Sequence, residues 1–204
     1  VLTGNQYFSV ERFLIRMQDK EMTEQDLIRI FDAVDILDLP EKMLPIVLSN
    51  SEQRNDIYRK LLYINNYDVS KEWFQEIFEQ RMSERKDKKQ DFTPATVSIL
   101  ASSITGTKDG SFHEPTAGNG SMIIADWWRK AQLHVPFDFF PSKNPIECWE
   151  LSRRSIPFLL LNLSIRGIVG IVYHGDVLEK KEYATYILSN PKDDCLGFSI
   201  IQKL

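Results

Sequence analysis

Apolar residues recur at helical spacing through the first part of the chain. Val10, Phe13, Leu14 and Met17 fall at i, i+3, i+4 and i+7, which predicts one buried helical face. Thr23 followed by Asp26 has the form of a capping box, opening a second helix whose stripe is Leu27, Ile30, Phe31 and Val34 and which Leu39-Pro40 ends. Ser51 is placed to cap a third helix carrying Ile57, Leu61 and Leu62, and Ser70 a fourth carrying Trp73, Phe74, Ile77 and Phe78. The aromatic residues of these stripes are expected to pack as core rather than to hold a ligand. No glycine lies between Asn5 and Thr105, which suits a compact helical region.

Residues 81–91 carry five basic and three acidic side chains, a net +2, and read as a solvated hinge. Beyond them the pattern changes. Thr93-Pro94 starts a helix with Pro in its first turn and Val97, Leu100, Ala101 and Ile104 as its buried stripe. Short apolar strands are then predicted at residues 111–113, 146–149, 168–173 and 185–188, the first two followed by helices. Pro157 is awkward inside a helix, so the second of these helices is expected to start late or to kink there. Alternation of this kind predicts an α/β fold, a mostly parallel sheet wrapped by helices. The expected division is a helical region and linker over residues 1–88 and an α/β unit over residues 89–204.

Composition narrows the class. The 204 residues are 43% hydrophobic and 26% charged with a net charge of −4, the mark of a soluble globular chain of one domain or of one domain with a smaller companion. The longest wholly apolar run, residues 156–161, is six residues long and far short of the ~20 that span a bilayer, so no membrane partner is expected. The opening Val1-Leu2-Thr3-Gly4 lacks the pattern of a secretory signal, and a first residue other than Met reads as an excised fragment or a tag remnant. Cys148 and Cys195 cannot build a disulfide framework or a zinc site by themselves, and a reducing cytoplasm is the expected setting. His113, His134 and His174 share no ligand spacing, and no metal is assigned to them. With a net charge of −4, any contact with DNA must come from a local patch or a partner.

The richest stretch is His113-Glu114-Pro115-Thr116-Ala117-Gly118-Asn119-Gly120-Ser121-Met122, between a predicted strand and a predicted helix. Glycines at 118 and 120 let the backbone approach a ligand, and open parallel sheets bind ligands at the carboxyl ends of their strands. The dinucleotide fingerprint requires a third glycine where Ile123 stands, and no Gly-Lys-Ser/Thr follows, so neither a nicotinamide site nor a P-loop is predicted. Glu150, ending the next strand, is placed to accept hydrogen bonds from ribose hydroxyls.

The order Asp91-Phe92-Thr93-Pro94, the glycine turn, Glu150, then Asn162-Leu163-Ser164-Ile165-Arg166-Gly167-Ile168 and His174-Gly175-Asp176-Val177-Leu178 resembles one family. It is similar to adenine-N6 DNA methyltransferases of the type I restriction-modification class, in their modification subunits and phage-borne relatives. The resemblance covers about residues 92–191. It implies a Rossmann-like S-adenosylmethionine-dependent methyltransferase sheet, incomplete at its C-terminal side, behind an all-helical N-terminal region. It implies S-adenosyl-L-methionine as cofactor, with Phe92, Thr93, Pro94, Glu114, Pro115, Gly118 and Gly120 around the methionine part, Glu150 on the ribose and Asp176 on the adenine amine. It implies DNA as substrate, met with a specificity subunit or a further C-terminal region, and leaves the helical region as a surface for a protein partner. Trp149, beside Glu150, either covers the adenine or packs in the sheet.

The family's catalytic motif is Asn or Asp, two prolines and an aromatic residue at the end of the fourth strand. Here Asn190 and Pro191 are followed by Lys192 and Asp193. The Asn side chain would align the target amine for attack on the methyl group, and the aromatic would stack on the flipped base. Two expectations follow. The chain is the cofactor-binding part of such an enzyme, inactive or weak alone, or it is a non-catalytic binding protein that keeps the scaffold.

Overall fold

The computed structural model describes residues 22–75, 77, 93–135 and 138–204. The first helical stripe (Val10, Phe13, Leu14, Met17), Phe78, the hinge and Phe92 lie outside the described residues, as does the expected boundary at 88/89.

Among the described residues three helices come first: α1 (Glu24–Phe31), α2 (Leu39–Leu48) and α3 (Glu52–Ile64). The capping box forms as expected, with Asp26 N–H donating to Thr23 Oγ1 and Thr23 N–H donating to the Asp26 carboxylate. The stripe stops sooner than predicted, because Asp32 turns left-handed at φ 51° and leaves Val34 87% exposed. Leu39-Pro40 opens a helix instead of closing one: Pro40 sits in the first turn of α2, where its missing N–H costs nothing. Sequence reading missed this helix, since Pro45 inside it conceals the period. Ser51 caps α3 through Arg54 N–H. Ser70 does not cap, its N–H and hydroxyl both donating to Asp68; the Glu72 carboxylate instead accepts from Phe74 and Gln75 N–H.

The α/β part follows as α4 (Ala95–Thr105), β1 (Phe112–Glu114), α5 (Ser121–Gln132), β2 (Ile146–Glu150), α6 (Ile156–Ile165), β3 (Gly170–Asp176), β4 (Lys181–Ser189) and β5 (Ile200–Lys203). The fold class is α/β, but the sheet is mixed. Its spatial order is β1-β2-β3-β4-β5, with β1, β2 and β3 parallel and β4 and β5 antiparallel to their neighbours. With β1, β2 and β3 parallel and adjacent in that order, crossovers of the usual right hand put α5 and α6 on the same face of the sheet. All ten residues of α6 are buried, as a helix apolar on every side must be, and Pro157 lies in its first turn. Of the first three helices, α2 packs on α6 and reaches β5. Their core, Leu27, Met43, Tyr58 and Phe74 among others, is continuous with Ile123, Leu160, Val172 and Ile201 of the α/β part. Polar clasps reinforce this contact: Asn50 pairs with both backbone groups of Ile201, Arg54 Nη1 donates to Ser199 O at 3.0 Å, and Tyr58 Oη meets Ser164 Oγ at 2.6 Å. Among the described residues no helix is long and apolar enough to cross a membrane.

Candidate ligand site at the carboxyl end of the parallel strands

β1 and β2 end side by side, Glu114 opposite Cys148 in register and Glu150 two residues further on. Both carboxylates are buried, at 8% and 7% exposure. Glu114 accepts from Thr116 N–H at 3.2 Å, and Pro115 beside it is exposed. The chain then turns through Ala117, whose N–H donates to Trp149 O at 2.8 Å, tying the turn to the end of β2. Glu150 locks that turn: its Oε2 accepts from Gly118 N–H at 2.7 Å and its Oε1 from Ser152 N–H at 2.6 Å. Each carboxylate oxygen keeps a further lone pair, so two more donors can be bound without breaking either contact. Burial raises the Glu150 carboxyl above its ordinary range, and the two backbone N–H groups pull it back only in part. The Cys148 thiol between the carboxylates is pushed far up, first by burial and then by the charges of Glu114, Glu150 and Glu147.

The two glycines have different tasks. Gly118 is left-handed at φ +55°, and a Cβ there would meet nothing within 4 Å, so the space over it is open. Gly120, at φ +98°, starts α5, and its Cβ would stand 3.1 Å from Leu159 Cδ1 of α6. It is a helix-packing glycine. Thr93 and Pro94 open α4, with Pro94 at the cap position rather than inside the first turn. Arg129 near the end of α5 bonds Ser102 and Thr107 near the end of α4, so the two helices run the same way and Thr93 and Pro94 lie toward the end that carries the glycine turn.

Asp176 ends β3 on the same side of the sheet, but its Oδ1 accepts from Leu178 and Glu179 N–H and so also caps the following turn. Trp149 stacks on Tyr173 with ring centroids 4.6 Å apart, on the face of β2 opposite Glu150.

Asn190 and Pro191, the residues the resemblance offers for catalysis, lie away from this site. β4 runs antiparallel to β3, with Leu188 opposite Gly170, whereas Glu150 stands opposite His174. About six residues of strand, roughly 20 Å, therefore separate Asn190 from the glycine turn. Asn190 is buried and its Nδ2 points at the carbonyls of Gly167, Asp194 and Gly197, closing the loop that leads to β5. Asp193 grips Ser142 through both carboxylate oxygens.

Residues the sequence reading gave no role hold the turn from below. Asn162 is fully buried in α6, and its Nδ2 donates to Asn119 O and to Glu72 Oε1, both at 2.9 Å. Arg166, one turn on, donates to Asn162 O and Oδ1, to Val69 O and to Lys71 O, and its guanidinium lies 4.7 Å from the Trp73 ring centre. Burial lowers this guanidinium to about 9, which leaves it charged at neutral pH. The available signal was a polar and a cationic residue four apart in and just beyond a helix that is otherwise apolar.

No protein-family model matches this chain, and no curated protein does.

Proposed function

We propose that the chain binds S-adenosylmethionine over Gly118 and is the cofactor-binding part of an adenine-N6 DNA methyltransferase that does not itself transfer the methyl group. One observation carries the reading: a buried carboxylate at the end of β2 is hydrogen-bonded to the Gly118 N–H, beside open space and next to a second buried carboxylate. Two negative groups at the mouth of the turn favour a ligand with positive charge and disfavour a pyrophosphate. The free lone pairs of Glu150 suit the two ribose hydroxyls, and the open face of Gly118 suits close approach of the amino-acid part. Asp176, on the next strand, suits the adenine amine. S-adenosylmethionine supplies an electrophilic methyl group bound to a sulfonium. An acceptor amine has to be aligned within about 3.5 Å of that carbon. The distance to Asn190 and Pro191 favours the non-catalytic alternative for this chain, so DNA and a specificity subunit enter as partners of a larger assembly.

Calorimetric titration tests the cofactor. S-adenosylmethionine is expected to bind, and Glu150→Ala to weaken it about 10- to 150-fold, the equivalent of ~1.5–3 kcal/mol for hydrogen bonds to a charged group. Tighter binding of NADH than of S-adenosylmethionine, or equal affinity in parent and variant, refutes the reading. Labelled methyl incorporation into duplex DNA by the chain alone is expected to be absent. Incorporation abolished by Asn190→Ala would return catalysis to that loop.

A further inference from the structure

The glycine turn is held from two sides. On the sheet side, Ala117 N–H donates to Trp149 O at 2.8 Å and Gly118 N–H to Glu150 Oε2 at 2.7 Å. On the other side, Asn119 O accepts from Nδ2 of the fully buried Asn162 at 2.9 Å. An asparagine amide can sit either way round, and only one way offers Asn119 O a donor. The neighbours of Asn162 select that way. Glu72 Oε1 accepts from the same Nδ2 at 2.9 Å, and Arg166 Nη1 donates to Oδ1 at 3.1 Å. Turning the amide over would set its oxygen against two acceptors and its nitrogen against a donor. Gln75, on the same segment as Glu72, reaches the first residue of α5, where Ser121 Oγ donates to its Oε1 at 3.5 Å.

We propose, on the reading of this turn as the S-adenosylmethionine site, that Glu72 and Asn162 are its positioning residues, so that the helical region and not the α/β part alone sets how tightly the turn binds. Asn119 O belongs to the peptide whose N–H, that of Gly120, donates to Ala117 O at 2.8 Å and closes the turn. Holding the carbonyl therefore holds the whole peptide plane. On either side of Asn119 stand glycines at φ +55° and φ +98°, which have no Cβ to resist rotation once the carbonyl is released. Ordering the turn would then fall to the ligand, and the affinity would drop in proportion to the fraction of chains that already hold the binding shape. The coupling is reciprocal: a ligand seated on the turn holds Asn162, and through it Glu72, in place.

Two measurements separate positioning from stability. Without ligand, Asn162→Leu is expected to speed amide exchange at Gly118 and Gly120 about 10-fold more than at Val172 in the central strand, and Glu72→Leu, at a half-buried position, gives the same comparison should Asn162→Leu fail to fold. Equal acceleration at all three amides overturns the proposal, since these side chains then only support the fold. In calorimetric titration with S-adenosylmethionine, Glu72→Leu is expected to bind about 10-fold more weakly than the parent, the worth of one hydrogen bond. Glu72→Gln keeps an oxygen for the Asn162 amide and is expected to recover most of that loss. Tyr58→Phe removes a different bond between the helical region and α6, at Ser164 Oγ, and is expected to lower the urea midpoint without changing the affinity. Parent-like binding by Glu72→Leu, or equal weakening by Tyr58→Phe, refutes the positioning role. Absence of binding by the parent refutes the cofactor reading instead, and the exchange comparison, which needs no ligand, still decides the positioning.

Discussion

Arg166→Met is expected to destabilise the fold by ~3–5 kcal/mol, and the size follows from what the guanidinium holds. It donates to three backbone carbonyls, Val69, Lys71 and Asn162, and to the Asn162 side chain, while 2% exposed. At ~1.5–3 kcal/mol for a hydrogen bond to a charged group, four such bonds sum to roughly 6–12 kcal/mol. Two effects reduce that figure. Removing the cation recovers the several kcal/mol its burial costs, and Met keeps most of the apolar stem against Trp73. What remains is the one-sided loss of a buried charged partner, ~3–5 kcal/mol. Urea unfolding followed by tryptophan fluorescence measures it. With a slope of about 2 kcal/mol/M the midpoint should fall by roughly 1.5–2.5 M. Arg166→Lys keeps the charge but not the planar fork, and should lose about half as much. A midpoint shift below about 0.5 M for Arg166→Met would show that water replaces the guanidinium at these carbonyls, and would refute the assignment of Arg166 as the tie between the helical region and α6.

Gly118→Ala should cost only the strain of a left-handed alanine, about 1 kcal/mol, because its Cβ meets open space, whereas Gly120→Ala adds a contact at 3.1 Å with Leu159 and should cost more than twice that; equal losses in urea titrations would contradict the division of tasks between them. Burial raises the Glu72 carboxyl above its ordinary range against the pull of Asn162, two N–H groups and Arg166. The folded chain therefore keeps a proton the unfolded chain has already lost, and stability falls as pH rises from the unfolded carboxyl's range through the folded one. The parent should thus lose stability relative to Glu72→Gln across that window, and a difference that moves the other way would mean that the bonding partners outweigh burial.

Element types were legible where one residue's chemistry settled a terminus. Thr23 with Asp26 and Ser51 each cap as their side chains require. The glycine turn and Glu150 were legible together, since a strand, a turn with two glycines and an acid at the next strand end have few alternative geometries. α2 was hidden because Pro40 read as a stop, although a proline in the first turn is a start, and because Pro45 interrupts the pattern inside the helix. The stripe of α4 was read with the correct period and the wrong environment, since Val97, Leu100 and Ile104 are 50%, 60% and 76% exposed: periodicity identifies an apolar face and does not say what covers it. Asn162 and Arg166 carried part of the resemblance but received no structural role, because their partners, Glu72, Val69, Lys71 and Asn119, lie 43 to 97 residues away in sequence.

The position of Asn190 was hidden, because the strands expected at residues 168–173 and 185–188 leave eleven residues between them, nearly enough for a crossover, whereas the observed strands are longer and closer in sequence. Four residues, 177–180, separate the end of β3 from the start of β4. A strand parallel to its predecessor needs a crossover of about a dozen residues, whereas an antiparallel partner needs only a tight turn. A four-residue link therefore obliges β4 to fold back along β3. Its end, with Asn190 and Pro191, must then lie at the amino ends of the parallel strands, opposite the glycine turn. A motif at the end of a strand reaches a ligand at the carboxyl ends only if that strand is parallel to the others. The spacing between Asp176 and Lys181 thus bears on the proposed reading as directly as the replacement of the second proline by Lys192, and both argue against methyl transfer at Asn190.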